Sequence, residues 1–164
     1  MILGLCGSLR QNSLNRMVLT ALQSKVPDLV VWNRMGELPF FNPDLELQPN
    51  DVIDEYRANL KSASAIVIAS PEYAHGVTGV MKNALDWVVG TGEFMQKSTI
   101  VLNCSRSATI ANFAIRETLS VMEAEVHPFS IPLRGHSTTV EEILQDTALL
   151  EHLKAISRLL TNLG

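Results

Sequence analysis

Cysteine is scarce: the 164 residues hold two, Cys6 and Cys104, far apart in the chain. Neither sits in a CxxC pair or at metal-ligand spacing from a histidine, so no zinc site and no disulfide framework is expected. No apolar run approaches the roughly 18 residues of a membrane span. The opening stretch Met1–Gly7 is apolar, but it is short and uncharged at its start, unlike a secretory signal. Net charge is small: 13 Lys and Arg against 17 Asp and Glu give −4. Such a chain has no bulk attraction to nucleic acid or to an anionic membrane, so any anion must be held by a local site. Glycine-rich signatures are missing as well. There is no GxxxxGK[ST] and no GxGxxG, since Gly4 lies inside a strand run three residues before Gly7. The G-x-S-x-G of a nucleophile elbow is absent too. There is no repeat and no low-complexity segment. The expectation is a cytoplasmic, reduced, single domain spanning 1–164, with no nucleic-acid and no membrane partner.

What is present is alternation. The chain is 46% hydrophobic and 18% charged, and at this length it buries about 70% of its unfolded surface. Short apolar runs at Met1–Cys6, Leu29–Trp32, Ala65–Ala69 and Thr99–Asn103 lack period-2 polarity. Strands buried on both faces have this character. A fifth run, Val126–Ile131, contains His127, Pro128 and Ser130 and suits an edge strand. Between them lie helical patterns at Ser13–Lys25, Asp51–Ser62, Gly79–Val89 and Thr109–Glu123, and a last long one at Val140–Leu163. This βα alternation predicts an α/β fold: a doubly wound, five-stranded parallel sheet of flavodoxin-like order 2-1-3-4-5 with helices on both faces. In that order Cys6 and Cys104 stand two strands apart, about 9–10 Å. A disulfide needs Cα atoms closer than about 7 Å, so both thiols are read as core.

Ligands of such sheets sit beyond the carboxyl ends of the strands, where strand order reverses. The loop after the first strand runs from Gly7 to Arg16 and opens a helix. Helix N-termini offer unpaired N–H groups and partial positive charge. Ser8, Ser13 and Asn15 add polar groups, and Arg10 can neutralise a phosphate. The plainer reading is that Ser13 only caps the helix and Arg10 is a solvated charge. With neither glycine signature, the phosphate reading expects one terminal monophosphate rather than a pyrophosphate or triphosphate. The loop after the third strand is Ser70-Pro71-Glu72-Tyr73-Ala74-His75-Gly76-Val77-Thr78-Gly79. It can present backbone groups to the edge of a flat polar ring, with Tyr73 against the ring and Thr78 capping the next helix. Its plainer reading is a connection in which Tyr73 only packs. His75 has no Cys, Asp or second His beside it, so it is not read as a metal ligand.

These residues carry a resemblance. Gly7-Ser8-Leu9-Arg10 with Ser13 and Asn15-Arg16, followed by Pro71-Glu72-Tyr73 and by Gly79-Val80-Met81-Lys82-Asn83-Ala84-Leu85-Asp86-Trp87, resembles the NADPH-dependent FMN reductase family. That family includes quinone, chromate and azo-dye reductases. Leu38–Asp44 resembles the family's loop after the second strand. The resemblance implies bound FMN, NADPH or NADH as reductant, a small-molecule electron acceptor, and a homodimer or homotetramer. By position, Ser8, Arg10, Ser13, Leu14 and Asn15 would hold the phosphate end of FMN. Pro71, Glu72, Tyr73, Ala74, His75 and Gly76 would line its ring, and Ser105 would approach it from the fourth strand. Three departures stand out. Ala74 replaces a frequent Asn, Thr78 replaces a common Pro, and Ser105–Asn112 has none of the glycines usual there. The side chain of Arg106 or Ser107 is therefore expected to narrow the space over the ring.

The fold also serves electron carriers and non-catalytic flavin-binding modules. Charge separates carrier from enzyme. Fully reduced flavin is an anion, which nearby carboxylates oppose. Glu72 is the sole carboxylate between Ser70 and Gly79, and the fourth loop has none. The expectation is an NAD(P)H-dependent two-electron reductase in which flavin does the redox chemistry and no side chain is a nucleophile.

Overall fold

The computed structural model describes residues 1–105, 108–131, 133 and 139–163. In chain order the elements are β1 (Ile2–Cys6), α1 (Leu14–Gln23), β2 (Leu29–Trp32), α2 (Asp51–Ser62), β3 (Ala65–Ala69), β4 (Glu72–Tyr73), β5 (Gly76–Val77), α3 (Gly79–Asp86), β6 (Ser98–Asn103), α4 (Thr109–Val121), β7 (Glu125–Ser130), α5 (Val140–Gln145) and α6 (Thr147–Leu163). Two short 3-10 turns, Met35–Glu37 and Pro43–Leu45, lie between β2 and α2.

Five strands form one parallel sheet in the order β2-β1-β3-β6-β7. Counted among sheet strands alone, this is the expected 2-1-3-4-5. Strand alternation sorts the apolar side chains onto two faces. Ile2 and Cys6 of β1, Val67 and Ala69 of β3, and Ile100 and Leu102 of β6 join one core with Val18 and Leu22 of α1 and with Leu153, Ile156 and Leu160 of α6. Leu3 and Leu5, Ile66 and Ile68, and Val101 face the other way. They pack with Ile53, Tyr56 and Leu60 of α2, Met81 and Leu85 of α3, and Ile115 and Leu119 of α4. The central strands β1 and β3 are buried along their whole length, which is why their sequences show no polar alternation. β7 is the edge strand, as its mixed composition predicts.

Two departures from the sequence reading have clear causes. The last helical pattern is broken in two at Asp146. The Asp146 carboxylate accepts from the N–H groups of Ala148 and Leu149, at 2.9 and 3.0 Å, and starts a new helix there. The loop after β3 is not an open connection. Its residues pair as an antiparallel hairpin, Glu72 opposite Val77 and Tyr73 opposite Gly76. Ala74 and His75 form its two-residue tip, both with positive φ, 49° and 57°. Positive φ at both central residues is the pattern of a type I′ turn.

Candidate functional site

The carboxyl ends of β1, β3 and β6 converge on a cleft of 480 Å³, within the usual range for small-ligand pockets. Its first wall is the β1–α1 loop. Ser13 stands at the N-cap position in extended conformation, but its hydroxyl makes no bond back to the helix. The plain capping reading of Ser13 is thus overturned: the hydroxyl remains available at the helix start. Ser8, Ser13 and Asn15 are all buried. The Oδ1 of Asn15 has no hydrogen-bond partner among the described residues, a deficit of about 1–3 kcal/mol unless a ligand or water meets it. The Ser8 hydroxyl accepts from the Arg10 N–H at 3.3 Å and curls the loop, leaving Arg10 exposed at the rim.

The second wall is the β4–β5 hairpin. Pro71, Glu72, Tyr73, Ala74 and His75 line the cleft, while Gly76 does not. Gly76 pairs with Tyr73 in the hairpin ladder. Tyr73 is 59% exposed, an aromatic face open to the cleft. The third wall comes after β6. Ser105 lines the cleft, and its N–H donates to Asn103 Oδ1 at 3.1 Å. Arg106 and Ser107, one or other of which is expected to project over the ring, lie outside the described residues.

Thr78 and Gly7 join the first two walls. The Thr78 hydroxyl donates to the Gly7 carbonyl at 2.8 Å and accepts from Met81 N–H at 3.4 Å, so it caps α3 as expected. Proline at this position could not donate to Gly7. The chain passes Gly7 so close to β3 that a Cβ there would fall 2.1 Å from Ser70 Oγ and 2.6 Å from Ser70 Cβ. Only glycine permits this approach.

Glu72 joins the hairpin to the third wall. Helix α4 begins after Ala108, which has no side-chain group to cap it. Glu72 supplies the cap from 39 positions away: its Oε2 accepts from Ala111 N–H at 2.8 Å. Its other oxygen accepts from His75 Nδ1 at 3.2 Å. The Ala111 N–H foremost, and then His75, hold this carboxyl below the usual glutamate range. Among the described residues the one carboxylate of the cleft is thus already engaged, and Arg10, Tyr73, His75 and Cys104 are its other ionisable groups.

Four further residues line the cleft and were not among those expected: Asn12, Ser70, Cys104 and Ala108. Their positions in the same strand-end loops were the available signal. Cys104 is buried among apolar groups, which pushes its thiol up to about 12, and burial raises Cys6 as well. Both cysteines are free. The conspicuous Asn83 and Trp87 have a different task. Asn83 accepts from Phe41 N–H at 2.8 Å and donates to Pro39 O at 2.9 Å, and Trp87 Nε1 donates to the same carbonyl at 2.7 Å. They tie the loop after β2 to α3. Among the described residues no group of His, Cys, Asp and Glu is arranged to hold a metal ion.

The profile of the family described as NADPH-dependent FMN reductase matches residues 1–135. An NAD(P)H-dependent FMN reductase of Pseudomonas aeruginosa is 32% identical over 139 residues, 80% of this chain and 74% of that one. A quinone reductase of Pseudomonas putida is 33% identical over 128 residues, 71% of this chain and 68% of that one. A potato NAD(P)H:quinone oxidoreductase is 38% identical over 93 residues, 52% of this chain, and the match spans about half of that protein, 48%. In three dimensions the chain is similar to FerB, a flavoenzyme NAD(P)H:acceptor oxidoreductase of Paracoccus denitrificans. The TM-score is 0.77 at 22% identity, covering 99% of this chain and 98% of the other. This chain belongs to the NADPH-dependent FMN reductase family.

Proposed function

We propose that the cleft holds FMN and that the protein is an NAD(P)H-dependent oxidoreductase reducing small acceptors such as quinones, free flavin, azo compounds or metal oxyanions. The observation that carries this reading is the polar end of the cleft. The free hydroxyl of Ser13, the buried amide of Asn15 and the first N–H groups of α1 converge beside Arg10. A terminal phosphate suits that end, and ribityl hydroxyls can donate to Asn15 Oδ1. The residues present therefore fit FMN.

Bound FMN supplies a two-electron relay between nicotinamide and acceptor. The protein's part is placement. Ser8, Arg10, Ser13, Leu14 and Asn15 hold the phosphate end. Pro71 to His75 and Ser105 border the ring end. The Thr78–Gly7 bond fixes the spacing between the two. Because the Glu72 carboxylate accepts from Ala111 N–H and from His75, its charge is partly offset, which favours two-electron chemistry over a carrier role. The protein works as one domain in the cytoplasm, as a homodimer or homotetramer. The near-complete exposure of Phe40 and Leu47, 89% and 98%, supports association.

Binding of FMN and riboflavin, followed by quenching of flavin fluorescence, tests the reading. FMN is expected to bind more tightly, and Arg10→Ala to weaken FMN about tenfold to a hundredfold, the scale of a charged hydrogen bond. Equal affinity for the two flavins would defeat the phosphate assignment.

A further inference from the structure

The pairing of Glu72 with His75 goes beyond what a hairpin needs. A type I′ tip favours Asn-Gly, yet this one holds Ala74 and His75 in the left-handed region. That conformation is strained for a residue with a Cβ. The turn thus keeps an imidazole where a glycine would relax it, and such strain gathers at functional sites. The imidazole is also oriented. His75 Nδ1–H donates to Glu72 Oε1 at 3.2 Å, and Glu72 Oε2 is fixed on Ala111 N–H at 2.8 Å. The pair is therefore anchored to α4 and not merely to the hairpin tip. No described residue bonds Nε2. The His75 side chain is 81% exposed at the cleft rim, in contact with water.

We propose that His75 is the acid that gives a proton to the acceptor's oxygen, with Glu72 as its positioning residue. This rests on the acceptor-reducing function stated above. Converting a quinone to a hydroquinone adds two electrons and two protons, and both C=O bonds become C–OH. The reduced nicotinamide gives up two electrons and one proton and leaves oxidised. The second proton has to come from another donor. At His75 the Nε2–H bond of the imidazolium breaks and the O–H bond of the product forms. The imidazole then takes a replacement proton from water, while Glu72 keeps Nδ1 as the donor side of the ring.

The test is His75→Gly, because glycine accepts a φ of 57° and leaves the hairpin intact. Two acceptors are compared at saturating nicotinamide and FMN. Benzoquinone needs protons, whereas ferricyanide takes electrons alone. The ratio of kcat/KM for benzoquinone to that for ferricyanide is expected to fall about tenfold or more. Imidazole added to the buffer, able to enter the space left by the ring, is expected to raise that ratio again. Equal losses with both acceptors, or no response to imidazole, would overturn the assignment. Failure of the unaltered protein to reduce ferricyanide at all would instead remove the reductase function itself, and the proton donor with it.

Discussion

Replacing Gly7 with alanine places a methyl group where the fold has none to spare. The added Cβ would lie 2.1 Å from Ser70 Oγ, 2.6 Å from Ser70 Cβ and 3.1 Å from Ser70 Cα. Turning the Ser70 hydroxyl relieves only the first contact. The backbone cannot retreat easily, because Gly7 N–H donates to Ala69 O at 2.8 Å on one side and Gly7 O accepts from Thr78 at 2.8 Å on the other. Overpacking of this kind costs about 1–3 kcal/mol, which for a chain of this size lowers Tm by about 2–12 °C. The neighbour that causes the strain is named, so relief is graded. Ser70→Ala removes Oγ but keeps the 2.6 Å clash. Ser70→Gly leaves only the 3.1 Å contact, at a flexibility cost of about 0.5–1 kcal/mol. A double-mutant cycle by thermal or urea unfolding is therefore expected to show favourable coupling in G7A/S70G and much less in G7A/S70A. Full stability of G7A alone, or equal coupling in both double variants, would refute the close-approach argument.

Three other outcomes follow from the structure. Ala74→Asn puts a residue tolerant of positive φ at the hairpin tip and is expected to stabilise the protein by about 0.5–1 kcal/mol, read as a higher Tm. Because Glu72 is held below its ordinary value of 4.5, its contribution is complete above that value and is lost as pH falls through the lower folded-state value. Acid titration should thus release Ala111 N–H to hydrogen exchange, and Glu72→Gln should abolish that pH dependence. With Cys6 and Cys104 both buried and raised, neither thiol should react with an alkylating reagent at pH 8 until the chain is unfolded.

The sheet was legible because its evidence is dense. Ile66, Val67 and Ile68 have no polar neighbour to suggest a surface, and two-faced burial is the physical cause. The β1–α1 loop was legible for a similar reason, since a run of short polar side chains at a strand-to-helix junction has few other uses. The hairpin was not. Turn chemistry is read from Gly, Asn and Asp, and Ala74–His75 provides none of them. The break at Asp146 was hidden because Ile143, Leu149, Leu153 and Ile156 bury on the same core on both sides of it. The capping role of Glu72 could not be read locally at all, since its partner Ala111 lies in another element and contributes only a backbone N–H.

Pro128 stands in the middle of edge strand β7, opposite Val101. A residue without an N–H is tolerated there only if that side faces away from β6. The outer rim of the sheet therefore lacks a donor midway along the strand. A foreign strand laid against it would meet a gap in the ladder where amyloid-like growth needs continuity. The opposite rim, β2, is only four residues long. The sheet is closed to extension at one end by chemistry and at the other by brevity. Copies of this chain that meet in a crowded solution are steered towards contact through helices and loops, not towards a shared sheet.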